Sequence, residues 1–162
     1  MKILVLSDSH GNCDKMRQAI EKEKPDHVFH LGDHSDDAQL LKREYPMLPI
    51  VSVRGNCDWS DRVTPESVQT VCDGVSVWAV HGHLFGVKSG LLRLYFAAKE
   101  NAARVVLFGH THCPYCEERD GIWLMNPGSC AYGTVTNYGL IEIIDGDARC
   151  YLGSIDERSK AL

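Results

Sequence analysis

The most constraining feature of this 162-residue sequence is that five of its apolar, β-branched runs each end in a short polar segment. In chain order, the segments are Asp8-Ser9-His10, Gly32-Asp33, Gly55-Asn56, His81-Gly82-His83 and Gly109-His110-Thr111-His112. In α/β sheets, the loops at the carboxyl ends of the strands meet in one crevice. We therefore expect these side chains, which are distant in sequence, to gather at one place in the fold.

The apolar patterns predict parallel units first and antiparallel hairpins later. Strands are expected at residues 2–6, 28–31 and 50–53, with helices at 14–23 and 35–43 between them. Three Asp-Gly pairs, which begin at Asp73, Asp120 and Asp145, each separate two strand-like runs and indicate hairpins. The paired runs are 67–72 with 75–80, 116–119 with 122–125, and 140–144 with 148–152, and a helix at about 90–101 precedes a strand at 104–108. This order predicts an α/β fold with two mixed sheets and helices outside them.

Length and composition set the class of protein. At 18.1 kDa and 44% hydrophobic residues, the chain is expected to form a single domain over residues 1–162, without metal or disulfide staples. The net charge is −5 and the basic residues are scattered, so we expect no nonspecific nucleic-acid binding. No apolar run approaches the roughly 18 residues of a membrane span, and the N-terminus does not read as a signal peptide. A cytoplasmic protein with reduced thiols and no membrane association is the expectation.

The polar segments carry the residue types that bind transition metals. Carboxylates, imidazoles and an amide, with no thiolate in the set, favour Mn, Fe or Zn over Ca or a structural cysteine zinc site. In an extended segment, residues two positions apart point the same way, so the pairs that begin at Asp8, His81 and His110 are each expected to direct two side chains to one face. The set is too large for one four-coordinate ion, and two metals about 3.5–4 Å apart, bridged by a carboxylate, fit it better.

Taken together and in this order, the five segments resemble the signature of the calcineurin-like metallophosphoesterases, most closely the compact phosphodiesterases of the YfcE type. The resemblance spans residues 1 to about 130 and includes a further segment, Asn126-Pro127-Gly128-Ser129. It implies a four-layer α/β/β/α sandwich around a dinuclear metal centre. The implied ligands are Asp8, His10 and His112 for one metal, Asn56, His81 and His110 for the other, and Asp33 as the bridge.

A centre of this kind implies a metal-dependent phosphoesterase that acts on a small phosphodiester. Two divalent ions held by Asp8, Asp33 and neutral ligands retain a charge of about +2, which attracts a phosphate ester. A water between the metals loses its proton near neutral pH and gives a bridging hydroxide that attacks phosphorus. Mn²⁺ is the expected metal, with Fe, Zn, Ni or Co as alternatives.

The residues that assist the reaction are less conventional. Many members of the superfamily have Gly-Asn-His-Glu, in which the histidine is thought to protonate the leaving oxygen, whereas this chain has Gly55-Asn56-Cys57-Asp58. We name Cys57, Asp58 and His83 as the catalytic candidates, with His83 either contacting the phosphate or orienting the site. Because a thiol is a weak substitute for imidazolium, we expect aryl or activated diesters to be better substrates than alkyl monoesters.

Two alternative functions and one expectation about assembly stay open at this point. The retromer subunit of the same superfamily serves chiefly as a binding surface, so a metal-binding scaffold without significant catalysis is the main alternative, although the intact ligand set favours an enzyme. Cys113-Pro114-Tyr115-Cys116 resembles a redox pair, but a hairpin rather than a helix is expected to follow it, which favours incidental cysteines. The helix near residue 95 has more apolar residues than one face needs, which indicates a contact in a homo-oligomer. They are Leu91, Leu92, Leu94, Tyr95 and Phe96.

Overall fold

The computed structural model describes residues 1–131 and 136–155, which form ten strands and three α-helices. The strands are β1 (Lys2–Leu6), β2 (His27–His30), β3 (Ile50–Ser52), β4 (Ser67–Cys72), β5 (Val75–Val80), β6 (Val105–Leu107), β7 (Tyr115–Arg119), β8 (Ile122–Asn126), β9 (Asn137–Ile144) and β10 (Asp147–Ser154). The helices are α1 (Cys13–Glu23), α2 (Ser35–Glu44) and α3 (Leu92–Glu100). None of these helices is both long and apolar enough to cross a membrane.

The strands form two five-stranded sheets, and each sheet is mixed. The first has the order β10-β9-β1-β2-β3, in which β1, β2 and β3 are parallel and β9 and β10 are antiparallel additions. The second has the order β4-β5-β6-β8-β7, with β5, β6 and β8 parallel and an antiparallel strand at each edge. All three predicted Asp-Gly hairpins are present, and the predicted α/β class with two mixed sheets is confirmed.

The apolar residues divide the molecule into four layers. In β1, Ile3 and Val5 point between the two sheets, whereas Leu4 and Leu6 point toward α1 and α2 on the outer face. All four are fully buried, which explains why this strand is an uninterrupted apolar run. On the far side, α3 packs against the second sheet through Leu94, which is also fully buried. The layers are therefore helix, sheet, sheet and helix, as the resemblance implied.

The predicted helix at about 90–101 is shorter in the structure. Two 3₁₀ turns, His83–Phe85 and Val87–Ser89, precede α3. Gly86 and Gly90 end these turns with φ angles of 62° and 137°, and this backbone cannot continue into a helix.

The side chains of Leu92 and Phe96 are 57% and 53% exposed. A homo-oligomer contact through this surface stays a prediction. A single domain over 1–162 also stays a prediction, and residues 132–135 and 156–162 lie outside the described part of the chain.

Candidate metal centre

The polar segments after five strands lie together because those strands run in the same direction within each sheet. Strands β1, β2 and β3 are parallel, and so are β5 and β6, and these are the strands that end in the polar segments. Asp8 follows β1, Asp33 follows β2, His81 follows β5 and His110 follows β6. The topology thus brings loops from both sheets to one crevice at the carboxyl ends of their strands.

One group of ligand atoms comes from three of these loops. Asp8, His10, Asp33 and His112 each offer one nitrogen or oxygen, and these atoms all lie within 4.8 Å of one another. The Nε2 atom of His112 is 3.1 Å from Asp8 Oδ1, and that of His10 is 3.9 Å from Asp33 Oδ2. Both carboxylates are almost completely buried. Two buried carboxylates whose oxygens lie within 4.8 Å of each other are unfavourable in their ionised form unless a cation lies between them.

A second group lies on the other side of Asp33. His81 Nε2 is 3.5 Å from Asp33 Oδ1 and 3.1 Å from Asn56 Oδ1. The rings of His81 and His110 have their centroids 5.1 Å apart. Asp33 therefore directs Oδ2 toward His10 and Oδ1 toward His81, and stands between the two groups.

The backbone reaches this arrangement through turns. Asp8, His10, Asp33, His110 and His112 all have left-handed φ angles, between 44° and 68°. The expectation that Asp8 with His10, and His110 with His112, are extended pairs is therefore wrong in its geometry, although the side chains do converge. Asp and His are among the residues that tolerate this conformation best, which is the physical reason that short polar segments can turn here.

Two glycines have no Cβ atom, which allows the carboxylates of Asp33 and Asp8 to lie close to their backbone. A Cβ atom on Gly55 would overlap the Asp33 carboxylate and lie 2.6 Å from Asp33 N. A Cβ on Gly109 would lie 2.0 Å from Ser7 Oγ and 2.8 Å from Asp8 Oδ2. Glycine is thus required at 55 by Asp33, and at 109 by the side chains of Ser7 and Asp8.

Asp58 holds two of the ligand loops together. Its carboxylate is buried and accepts hydrogen bonds from the backbone N–H groups of Asp33, His34, Ser35 and Gly55, at 2.7–2.9 Å. Both oxygens are engaged twice, so the side chain is turned toward the backbone. We therefore assign Asp58 a positioning role in place of the catalytic role expected from the sequence.

A second buried network supports the loop that carries Asp8 and His10. The hydroxyl of Ser9 donates to Asp37 Oδ2 at 2.7 Å and lies 2.9 Å from His30 Nε2, and Gly11 N donates to the same Asp37 oxygen. Because the Ser9 proton goes to Asp37, the His30 nitrogen is the donor to Ser9. Complete burial lowers the pKa of His30 to about 4, so its ring is neutral at pH 7. Sequence reasoning missed this network because its members lie up to 28 positions apart.

Two of the candidate ligand imidazoles, those of His10 and His110, are neutral, which is the form that binds metals. Burial is the main cause that lowers the pKa of His10, and it lowers the pKa of His110 to about 4. Burial opposes ionisation of Asp33, but His81 and the N–H of Cys57 outweigh it and hold the pKa of this carboxyl below its usual range. At neutral pH the rings of His10 and His110 are thus neutral, and the carboxyl group of Asp33 is ionised.

The residues present fit a divalent cation. The buried Asp8 Oδ1 accepts no hydrogen bond from any described residue, although His112 Nε2 lies 3.1 Å away. A buried carboxylate oxygen without a hydrogen bond is costly unless a metal occupies that direction. Carboxylate, imidazole and amide donors together suit Mn, Fe or Zn.

The remaining predicted residues lie at the rim. Cys57 is exposed, and its backbone N–H donates to Asp33 Oδ1 at 2.9 Å. Partial desolvation of its sulfur, followed by the hydrogen bond and negative charge of Asp33, raises the pKa of this thiol to about 11. His83 begins a 3₁₀ turn, and its ring centroid is 5.4 Å from that of His81.

The two cysteines of the redox-like motif are placed differently from each other. Cys113 is exposed in a loop, whereas Cys116 is half-buried within β7, which leads into the hairpin with β8. The expected hairpin context is confirmed. A thiol pair of the redox type requires a helix that starts at the first cysteine, and this segment forms a strand instead.

Comparisons with known proteins agree with the geometry. The chain is 36% identical over 129 residues to the probable metallophosphoesterase YsnB of Bacillus subtilis, covering 80% of this chain and 75% of that protein. It is 31% identical to the phosphodiesterase YfcE of Escherichia coli K12 over an alignment of 168 positions that covers 88% of each. The crystal structure of a predicted phosphoesterase from Streptococcus pneumoniae superposes with a TM-score of 0.78 at 29% identity, covering 95% of this chain and 89% of the other.

The fold is also shared with a protein that is not named as a phosphoesterase. Vacuolar Protein Sorting 29 of Cryptosporidium parvum superposes with a TM-score of 0.73 over 94% of this chain and 96% of its own, at 16% identity, which shows a shared fold alone. The family model of the calcineurin-like phosphoesterase superfamily domain matches residues 1–145. The chain therefore belongs to the calcineurin-like phosphoesterase superfamily.

Proposed function

We propose that this protein is a phosphodiesterase that hydrolyses small phosphodiesters at a centre of two divalent metal ions. The observation that carries the proposal is the position of Asp33, whose two oxygens face two separate groups of ligands. Membership of the superfamily supports hydrolysis of a phosphoester. The relatives named as phosphodiesterases, YfcE and a protein of Methanocaldococcus jannaschii, support a diester as the substrate.

Seven side chains would hold the two ions. In the proposal, Asp33 bridges them, one ion is bound by Asp8, His10 and His112, and the other by Asn56, His81 and His110. Mn²⁺ suits this set best, and Fe, Zn, Ni or Co ions can replace it. When bound, the ions supply a water that is deprotonated near neutral pH as the nucleophile, and positive charge that stabilises the phosphoryl oxygens.

The charge of the loaded centre would attract a phosphate ester. Asp8 and Asp33 bring two negative charges and the other ligands are neutral, so the loaded centre keeps a charge of about +2. Such a centre attracts the single negative charge of a phosphodiester within an otherwise acidic protein. We assign His83, which lies beside His81 at the rim, to the orientation of a phosphoryl oxygen.

The leaving group receives little help from the protein. Asp58 is fully engaged by backbone N–H groups and has no free oxygen for a proton. The Cys57 thiol stays protonated at pH 7, but with a pKa of about 11 it is a weak acid. The proposed enzyme therefore prefers aryl or activated diesters, whose leaving groups need no proton, over alkyl monoesters.

The proposal is tested with metal-stripped protein and bis(p-nitrophenyl) phosphate. Activity should appear only on addition of Mn²⁺ or a similar ion, and should be lost in Asp33→Ala, His81→Ala and His110→Ala. His27→Ala is a matched control, because His27 begins β2, at the end of the strand away from the centre. Full activity in the stripped wild-type protein would contradict the proposal. Faster turnover of an alkyl monoester than of the aryl diester in the same buffer would contradict the assignment of Cys57.

The alternative is a metal-binding protein that serves as an interaction surface without significant catalysis. Its ligand set would bind ions as well, so metal binding does not separate the two. A panel of mono-, di- and cyclic phosphate esters does, because a scaffold turns over none of them. The complete set of seven ligands favours the enzyme.

A further inference from the structure

A cleft of about 610 Å³ adjoins the metal centre. It lies between the start of α2 and the loop of residues 57–64. Cys57, which directly follows Asn56, lines it. So does His34, whose ring centroid is 5.3 Å from that of the ligand His10. Arg62 lines the cleft as well. Its volume is within the range of clefts that bind small molecules.

Several polar side chains in this cleft are available to a ligand. Asp36, Gln39, Ser60 and Arg62 line it, and none of these side chains has a hydrogen-bond or ion-pair partner in residues 1–131 and 136–155. Together they offer a carboxylate, an amide, a hydroxyl and a guanidinium group. This is the mixture of acceptors and donors that binds a substituent with several hydroxyl groups.

The two other carboxylates of the cleft have structural tasks. Asp58 is engaged by four backbone N–H groups, as described above. Asp61 accepts hydrogen bonds from the backbone N–H groups of Val63 and Thr64, at 2.8 and 2.9 Å. Asp36 is thus the carboxylate of the cleft for which neither oxygen has a hydrogen-bond partner among the described residues, whereas Asp61 uses Oδ1 to hold its own loop.

The charge of the lining is net negative. Among the lining residues that the structure describes, three side chains are carboxylates and one is a guanidinium: Asp36, Asp58 and Asp61, and Arg62. The reacting phosphate would lie at the cationic metal centre, whereas any further anionic group on the substrate would lie in this cleft. Like charges repel there, and an uncharged hydroxyl group is accepted as a hydrogen-bond partner.

We propose that this cleft binds the organic substituent of the phosphodiester, that it selects an uncharged, hydroxyl-bearing group such as a sugar over an anionic one, and that Asp36 is the residue that determines this selection. The inference deepens the proposed function and rests on it, since it places the reacting phosphate at the metal centre.

Two matched substrates test the charge selection. They are thymidine 5′-(p-nitrophenyl phosphate) and the same ester with an added 3′-phosphate, which differ only in the anionic group. At low ionic strength, the wild-type protein should have the higher kcat/KM for the 3′-hydroxyl ester. Replacement of the Asp36 charge by its opposite, in Asp36→Lys, should shift the ratio of the two kcat/KM values about tenfold toward the 3′-phosphate ester.

The control variant is Asp147→Lys, which makes the same change of net charge elsewhere. Asp147 begins β10 in the hairpin next to the start of β1, because Glu142 pairs with Lys2, and this is the end of the sheet opposite the metal centre. This variant should keep the wild-type ratio. An unchanged ratio in Asp36→Lys, or an equal shift in both variants, would overturn the proposal.

A binding experiment separates failure of this inference from failure of the proposed function. Thymidine 5′-(methyl phosphate), whose poor leaving group makes hydrolysis slow, is titrated into ¹⁵N-labelled protein in Zn²⁺ buffer. The side-chain amide of Gln39 and the backbone amides of residues 60–64 should shift. Absence of shifts there would overturn the cleft assignment even if aryl diesters are hydrolysed. Shifts there, together with no hydrolysis of any aryl diester by the metal-loaded protein, would leave the cleft assigned and contradict the proposed function.

Discussion

Replacement of Asp58 by asparagine tests whether this side chain positions the backbone or takes part in catalysis. The two side chains have nearly the same shape, but one carboxylate oxygen becomes an NH₂ group, which cannot accept a hydrogen bond. Oδ1 accepts from the N–H groups of His34 and Ser35, and Oδ2 from those of Asp33 and Gly55. Whichever way the amide is oriented, two backbone N–H groups lose their acceptor.

The expected cost follows from these bonds. A buried N–H group without an acceptor costs roughly 1–3 kcal/mol, so two cost roughly 2–6 kcal/mol. The other two bonds lose the negative charge that strengthens them. We expect Asp58→Asn to lower the free energy of unfolding by about 4 kcal/mol, and the melting temperature by about 10 °C for a domain of this size.

Urea unfolding measures this change as a lower transition midpoint at an unchanged slope. Asp36→Asn is the matched control, because it makes the same chemical change at an exposed carboxylate without a partner among the described residues, and should stay within about 0.5 kcal/mol of the wild type. A loss below about 1 kcal/mol in Asp58→Asn would refute the reasoning. If that variant kept its stability but lost activity, a catalytic role for Asp58 would be indicated instead.

Three further predictions concern the same loops. Gly109→Ala should destabilise the protein more than Gly11→Ala in urea unfolding, since a Cβ at 109 would lie 2.0 Å from Ser7 Oγ and 2.8 Å from Asp8 Oδ2, whereas one at 11 meets no atom within 4 Å and adds only the strain of a φ angle of 88°; the reverse order would refute this. Burial lowers the pKa of His30 to about 4 in the folded state, from about 6.5 when unfolded, so the unfolded state gains the proton first as the pH falls. Stability should decrease by about 3 kcal/mol between pH 6.5 and pH 4 for this reason, and a slope of the same size in His30→Gln would contradict it. Iodoacetamide at pH 6 should modify Cys113 no faster than free cysteine, and rapid alkylation would restore the redox interpretation.

The elements of the fold were predictable because their signals are local. The apolar run at residues 2–6 and the Asp-Gly pairs that begin at Asp73, Asp120 and Asp145 each act over a few positions, and the corresponding strands and hairpins are present. The parallel order of the strands then makes convergence of the polar segments a consequence of topology. The turns at Asp8 and His110 were not predictable in the same way, because alternation along a strand assumes an extended backbone.

The residues that support the site were the least predictable. Asp58 bonds to N–H groups up to 25 positions away, and Asp37 reaches Ser9 across 28 positions, so no local pattern marks either contact. From the sequence, Asp58 is a catalytic candidate next to Cys57, and only its hydrogen bonds indicate a positioning role. The cleft beside Asp36 likewise depends on how α2 meets the loop of residues 57–64.

The number of Mn²⁺ ions bound per chain, measured by equilibrium dialysis of the metal-stripped protein, tests the central claim most directly. Asp33 stands between two groups of ligands, so the account predicts two ions per chain at saturation, with a marked loss in Asp33→Ala. Binding of a single ion, or of none, would contradict it.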